Sequence, residues 1–206
     1  KTTTYRYIVH KYLNMKSFAE KSQDEFSSLG GRKISKFDTE IKQVSEEYNF
    51  DWRLLSAVIY QESKFQDGNE SWAGAYGLLQ FMPTVGPVYD VYPDSPPEVQ
   101  IRGGMKKINR NYNDWKEIPD SIQRLKFTLA TYNAGLGHIK DAQRLTRKHG
   151  KDPLVWDDNV EEFILKLSKP KYYQDEVCRS GYLRGVETYQ YVRKVFIRYN
   201  EYSRAF

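Results

Sequence analysis

Apolar residues recur in this chain at every third or fourth position, segment after segment, and that spacing leaves few folds open to it. Phe37, Ile41, Val44 and Tyr48 stand at i, i+4, i+7 and i+11. The same grammar returns in Ile101, Met105, Ile108, Tyr112; in Ile122, Leu125, Leu129, Tyr132; in Val160, Phe163, Ile164, Leu167; and in Tyr189, Val192, Phe196, Tyr199. Each set gathers its large side chains on one face of a helix of about 3.6 residues per turn. No stretch shows the period of two that a half-buried strand needs, and no segment repeats another. The chain is therefore expected to be all-α, with five or more helices. Asp38 is placed to cap the first, and the last runs from about Gly185 toward the end of the chain. Pro83, Gly86-Pro87, Pro93, Pro96-Pro97, Pro119 and Pro170 break the pattern and imply long loops.

A length of 206 residues suits one large domain, or one domain plus a fragment, and 17 Tyr, 10 Phe and 4 Trp supply apolar surface for a sizeable core. Residues 1–34 combine a Tyr-rich start with a polar stretch ending in Ser27-Ser28-Leu29-Gly30-Gly31, and read as a tail or linker; the domain proper is expected over 35–206. The chain starts at Lys1 without the apolar run of a signal peptide, so it is expected to be part of a longer protein. No run approaches the roughly 18 apolar residues of a membrane span. A lone Cys178 and three scattered histidines, His10, His138 and His149, give no set at metal-ligand spacing, and no metal is expected. The net charge of +5 is interleaved with 27 acids. That pattern argues against nucleic acid and for a mixed, solvated surface that can still favour an anionic partner.

One carboxylate stands on the wrong face. Turning the helix opened by Asp51 through 100° per residue collects Leu54, Phe65, Val58, Leu55, Ile59 and Trp52 in an arc of about 160°. Ser63, Ser56, Tyr60, Arg53, Lys64 and Gln61 fill the remainder, while Glu62 falls inside the apolar arc between Val58 and Leu55. A carboxyl there either pairs with a cation as a structural salt bridge or keeps its proton through desolvation, which raises its pKa and lets it donate near neutral pH.

The surrounding sequence adds three further groups. Gly74, Ala75 and Gly77 allow close backbone approach, and Gln80 is a polar side chain among apolar neighbours, either facing a ligand or capping a turn. Tyr132 and Asn133 close a helix whose stripe passes through Leu125 and Leu129, so their polar tips project from an inward face. Glu62-Ser63, Gly77-Leu78-Leu79-Gln80, Tyr132-Asn133-Ala134-Gly135 and Glu187-Thr188-Tyr189-Gln190-Tyr191-Val192, in that order and spacing, resemble the four motifs of lytic transglycosylases of the soluble-lytic-transglycosylase type. The resemblance covers about residues 35 to 200. Within the family it looks most like the catalytic domain of the membrane-bound F-type enzymes, whose amino-terminal half resembles a periplasmic solute-binding protein. Leu79 stands where Met is commonest, and Thr131 where Ala is frequent; both departures are mild.

The resemblance implies a lysozyme-like helical domain with a substrate groove, needing no cofactor. Its activity would be cleavage of the β-1,4 bond between N-acetylmuramic acid and N-acetylglucosamine in peptidoglycan. Glu62 aligns with the catalytic acid; Ser71, Gln80, Tyr132, Asn133 and Tyr191 align with substrate-binding positions, Tyr191 near the carboxylate. It further implies glycan strands as partner, a monomer, regulation by an absent upstream half, and a place in the periplasm, with the full-length protein at the outer membrane. Glycosidases ordinarily use two carboxylates. One suffices if it serves as acid and then as base while the muramyl 6-hydroxyl attacks internally, giving a 1,6-anhydro product. The rival readings are a goose-type lysozyme-like hydrolase of the same bond and a catalytically silent peptidoglycan-binding module. Tyr76, Phe81, Tyr89, Tyr92, Trp72 and Trp115 are candidates either for stacking on sugars or for the core.

Overall fold

A computed structural model describes residues 33–206 of the chain, so the expected tail lies outside the described residues except for its last two positions. Among the described residues every regular element is helical. In chain order these are α1 (Asp38–Glu47), α2 (Trp52–Ser63), a 3-10 turn (Gly86–Tyr89), α3 (Pro97–Asn113), α4 (Ser121–Ala134) and α5 (Leu136–Lys148). A kinked turn (Trp156–Val160) then leads into α6 (Glu161–Lys166), followed by α7 (Pro170–Tyr173) and α8 (Gly185–Ala205).

Local chemistry sets most of the boundaries. Asp51 accepts the N–H of Arg53 at 2.9 Å and Asp120 that of Gln123 at 2.9 Å, capping α2 and α4. Pro97 and Pro170 open α3 and α7, where a missing N–H costs nothing. Asp38 has another duty than the expected cap: Phe37 occupies the cap position, and the buried Asp38 carboxylate accepts from the N–H groups of Ile34 and Ser35 (2.8 Å each) and from the Ser35 hydroxyl. It fastens the incoming chain, including the buried Ile34, to the first turn.

Helix α2 sits at the centre, packed most extensively against α8 and also against α1, while α4 lies between α3 and α8. Leu54, Leu55, Val58 and Ile59 are at most 3% exposed. The two serines assigned to the polar side of α2 are buried as well, because helices cover more of its circumference than one stripe needs. Their hydroxyls bond back to the carbonyls of Trp52 and Ile59 at 3.0 and 3.3 Å, so neither donor is orphaned. Phe65 leaves the expected arc because Lys64 and Phe65 both turn left-handed and end the helix at Ser63. Ile122, in the first turn of α4, stands 46% exposed instead of joining its stripe. Helix α5 had no stripe of large residues to announce it; it is held by Ile139, Ala142 and Leu145, with Asp141 and Thr146 also buried. Trp115, Tyr76 and Phe81 belong to the core, whereas Trp72 and Tyr92 are exposed.

Candidate active site

The site is built where three helices and one loop converge. The loop follows α2. Tyr76 and Phe81 exchange backbone hydrogen bonds at 3.0 Å, closing a tight turn through Gly77-Leu78-Leu79-Gln80. Gly77 adopts φ +75°, and a Cβ there would collide with the Gln100 side chain, so glycine is required on two counts. Gln100 accepts the Leu78 N–H at 2.7 Å and donates to Ser95 at 2.7 Å, tying the loop to α3. Gln80 donates to the carbonyls of Asn69 and Gly77 at 3.1 and 2.9 Å, and Ser71 accepts the Ala75 N–H at 3.0 Å. Both side chains brace the loop itself.

Tyr132, at the end of α4, is 6% exposed, and its hydroxyl donates to the Leu79 carbonyl at 2.9 Å, closing the loop onto the helices. The Tyr191 ring, from α8, lies nearly parallel to it, at 8° with centroids 6.5 Å apart. The Tyr191 hydroxyl donates to Glu62 Oε1 at 2.5 Å. Glu62, partly buried in the last turn of α2, thus has a tyrosine as its hydrogen-bond donor and a lysine as the cation that acts on it. Burial pushes its carboxyl up to about 7, against the opposing pulls of the Tyr191 hydrogen bond and the positive charge of Lys107. Burial likewise holds the Tyr132 and Tyr191 phenols well above their ordinary value, and the neighbouring Glu62 charge adds to it.

On the far side of Tyr191 opens a cleft of about 390 Å³ lined by Gln61, Asn133, Val186, Glu187, Gln190, Tyr191 and Lys194. Of the sequence-predicted residues, Glu62, Tyr132 and Tyr191 therefore form one cluster and Asn133 borders the adjoining cleft. Ser71 and Gln80 lie on the loop. Lys107 is the participant that sequence reasoning missed. It belongs to a second line on α3, Gln100, Gly104, Lys107 and Asn111, at i, i+4, i+7 and i+11, turned inward beside the apolar stripe. Polar and small residues at helical spacing were the available signal. Among the described residues no group of His, Cys, Asp and Glu could hold a metal ion.

Comparison with known proteins gives the family of the chain and a likeness of fold. The family profile described as Transglycosylase SLT domain matches residues 39–155. Membrane-bound lytic murein transglycosylase F of Desulfosudis oleivorans is 32% identical over 82% of this chain and 36% of its own length. The protein of the same name from Vibrio cholerae is 39% identical over 71% of this chain and 27% of its own. The one from Shewanella pealeana is 34% identical over 89% of this chain and 39% of its own. The chain thus spans only about a third of the length of these relatives. Among solved structures, an inactive mutant of lytic transglycosylase Slt from Pseudomonas aeruginosa superposes with a TM-score of 0.53 at 18% identity, covering 81% of this chain and 24% of that one. That likeness concerns the fold, which is all-α and lysozyme-like.

Proposed function

Because the chain belongs to the family defined by the Transglycosylase SLT domain, we propose that it is the catalytic domain of a peptidoglycan lytic transglycosylase, cleaving the β-1,4 bond between N-acetylmuramic acid and N-acetylglucosamine. On this reading the full protein works in the periplasm at the outer membrane, in keeping with relatives named as membrane-bound, with an upstream half that regulates access to the groove. The observation that carries the proposal is the Glu62 carboxyl held by the Tyr191 hydroxyl, one of two stacked tyrosines, beside a cleft that Tyr191 lines, with burial raising its proton affinity.

Such a group can do both halves of the chemistry. Protonated, Glu62 gives its hydrogen to the bridging oxygen as the bond to C1 breaks, and the acetamido group of the muramyl residue stabilises the cationic centre. The carboxylate left behind, steadied by the Tyr191 hydroxyl, takes the proton from the 6-hydroxyl while O6 bonds to C1. Glu62 ends as it began, no water is consumed, and the product carries a 1,6-anhydro ring. Tyr132, Asn133 and Tyr191 orient the sugar. Ser71 and Gln80 act through the loop they brace. Digestion of purified sacculi followed by mass spectrometry of the released muropeptides tests this: anhydro ends, lighter by one water, are expected. Reducing ends alone would assign a hydrolase of the goose-type lysozyme class, and binding without soluble product a silent module.

A further inference from the structure

Lys107 has an unusual address. It lies one turn beyond Gly103-Gly104, where the lack of side chains lets α3 close against Leu79 and Val91. The approach carries the lysine into the site: its ammonium sits 3.7 Å from the centroid of the Tyr132 ring and 5.8 Å from that of Phe81. It donates to the Tyr132 carbonyl at 3.3 Å. Among the described residues no acid lies within 4 Å of it; the carboxylate whose field it feels is Glu62. A half-buried ammonium with one long hydrogen bond and an aromatic face is a poor structural anchor, since a neutral side chain would fill the same space without desolvating a charge.

We propose that Lys107 is a positioning residue that acts through Glu62, supplying the positive charge that makes the carboxyl a more willing donor and steadies the carboxylate left behind. When Glu62 loses its proton to the leaving oxygen, a negative charge appears in a site with few donors. Lys107 and the Tyr191 hydroxyl are the two groups placed to meet it. The other ionisable groups facing the pair are Tyr132 from α4 and Tyr191 from α8, both kept neutral by burial, with Tyr89 from the 3-10 turn near Tyr132 and with Glu187 and Lys194 at the adjoining cleft. The opposing shifts agree with this: burial draws the Lys107 ammonium down to about 8 while the Glu62 charge draws it back up, and Lys107 in turn lowers Glu62.

The inference rests on Glu62 being the acid of the proposed reaction, and its test separates the two. The pH profile of kcat/KM on purified glycan strands is measured for the wild type, Lys107→Met and Lys107→Arg. Removing the charge should move the alkaline limb upward by about one pH unit and lower kcat in the acid plateau about tenfold, with KM little changed. Lys107→Arg should restore both. An unmoved limb in a folded, active Lys107→Met overturns the inference but spares the assignment of Glu62. A wild type that releases no product removes the premise instead. A variant that does not fold leaves a direct measurement on the wild type: the Glu62 carboxyl carbon followed by NMR should show its main step near 7 and a second, smaller one near 8 as Lys107 deprotonates. A single step overturns the proposal.

Discussion

Asp141 and Glu62 are both acids carried inward on helices, yet their surroundings differ in kind. Asp141, on α5, has no exposed surface, and its carboxylate accepts the N–H groups of Arg179 and Ser180 at 2.9 and 2.7 Å together with the Arg144 guanidinium. Arg144 also reaches the Val177 carbonyl at 2.6 Å, so the segment leading to α8 is fastened at several points. Glu62 receives one hydroxyl and a cation at a distance. Burial alone does not make an acid reactive. A carboxylate saturated with donors is a rivet; one left short of them holds its proton and can trade it.

Three substitutions, one of them read in two ways, press on that contrast. The largest effect belongs to Glu62→Gln, which keeps the acceptor for Tyr191 and removes the transferable proton. Release of soluble muropeptides should fall by about 10³-fold or more, equivalent to about 4 kcal/mol, with an unchanged circular dichroism spectrum. Wild-type clearance by this variant would erase the distinction between the two acids.

Asp141→Ala should act on the other side of the comparison. Stripping a saturated carboxylate leaves two part-buried N–H groups without their acceptor and Arg144 without its acid, and the urea midpoint should report a loss of about 3 kcal/mol. Turnover per folded molecule should stay close to that of the wild type.

Third, the Glu62 site should be a liability for stability, with a definite pH dependence. Its folded pKa of about 7 lies above the ordinary value of 4.5. Below 4.5 the carboxyl is neutral in both states and burial costs nothing; as pH rises through about 7 the penalty grows to its full size. Lys107, drawn by burial down to about 8, stays largely charged in both states up to about pH 7 and adds little slope below that point. Glu62→Gln should therefore be more stable than the wild type by about 3 kcal/mol at pH 7 and equal to it at pH 4. Parallel stability curves for the two proteins would show that Glu62 is solvated after all.

The smallest effect is expected for Tyr191→Phe. Losing the one hydroxyl that faces the carboxylate should raise the Glu62 pKa further and reduce kcat about tenfold, about 1.4 kcal/mol, with the alkaline limb displaced upward. A profile unchanged in position would mean that Tyr191 serves packing alone.

The helices bearing Phe37 to Tyr48, Ile101 to Tyr112 and Tyr189 to Tyr199 were legible because large apolar side chains at 3.6-residue spacing have one way to be buried together. The inward aim of Glu62 was legible for the same reason, since a helix fixes the direction of each side chain relative to its neighbours. Where periodicity was diluted, reading failed. Helix α5 packs through Ile139, Ala142 and Leu145 with a buried acid among them, Ser56 and Ser63 are buried although assigned to the polar side, and Ile122 stays exposed on the first turn of α4 although its neighbour Gln123 is held by Trp156 and Asp157. Gln80 illustrates a third case: a polar residue among apolar ones was visible, but whether it faced a ligand or braced a turn depended on where the carbonyls of Asn69 and Gly77 ended up.

From the order of its residues alone, this chain determined its helical class, its family and the carboxyl proposed here as the acid, because these follow from spacing along a single helix or motif. Tertiary structure decided how strongly that carboxyl holds its proton. That property depends on Tyr191, 129 positions away in sequence, on Lys107 brought in by a pair of glycines, and on the exclusion of water by four packed segments. Electrostatic energies depend on distances through space, which only the folded chain sets.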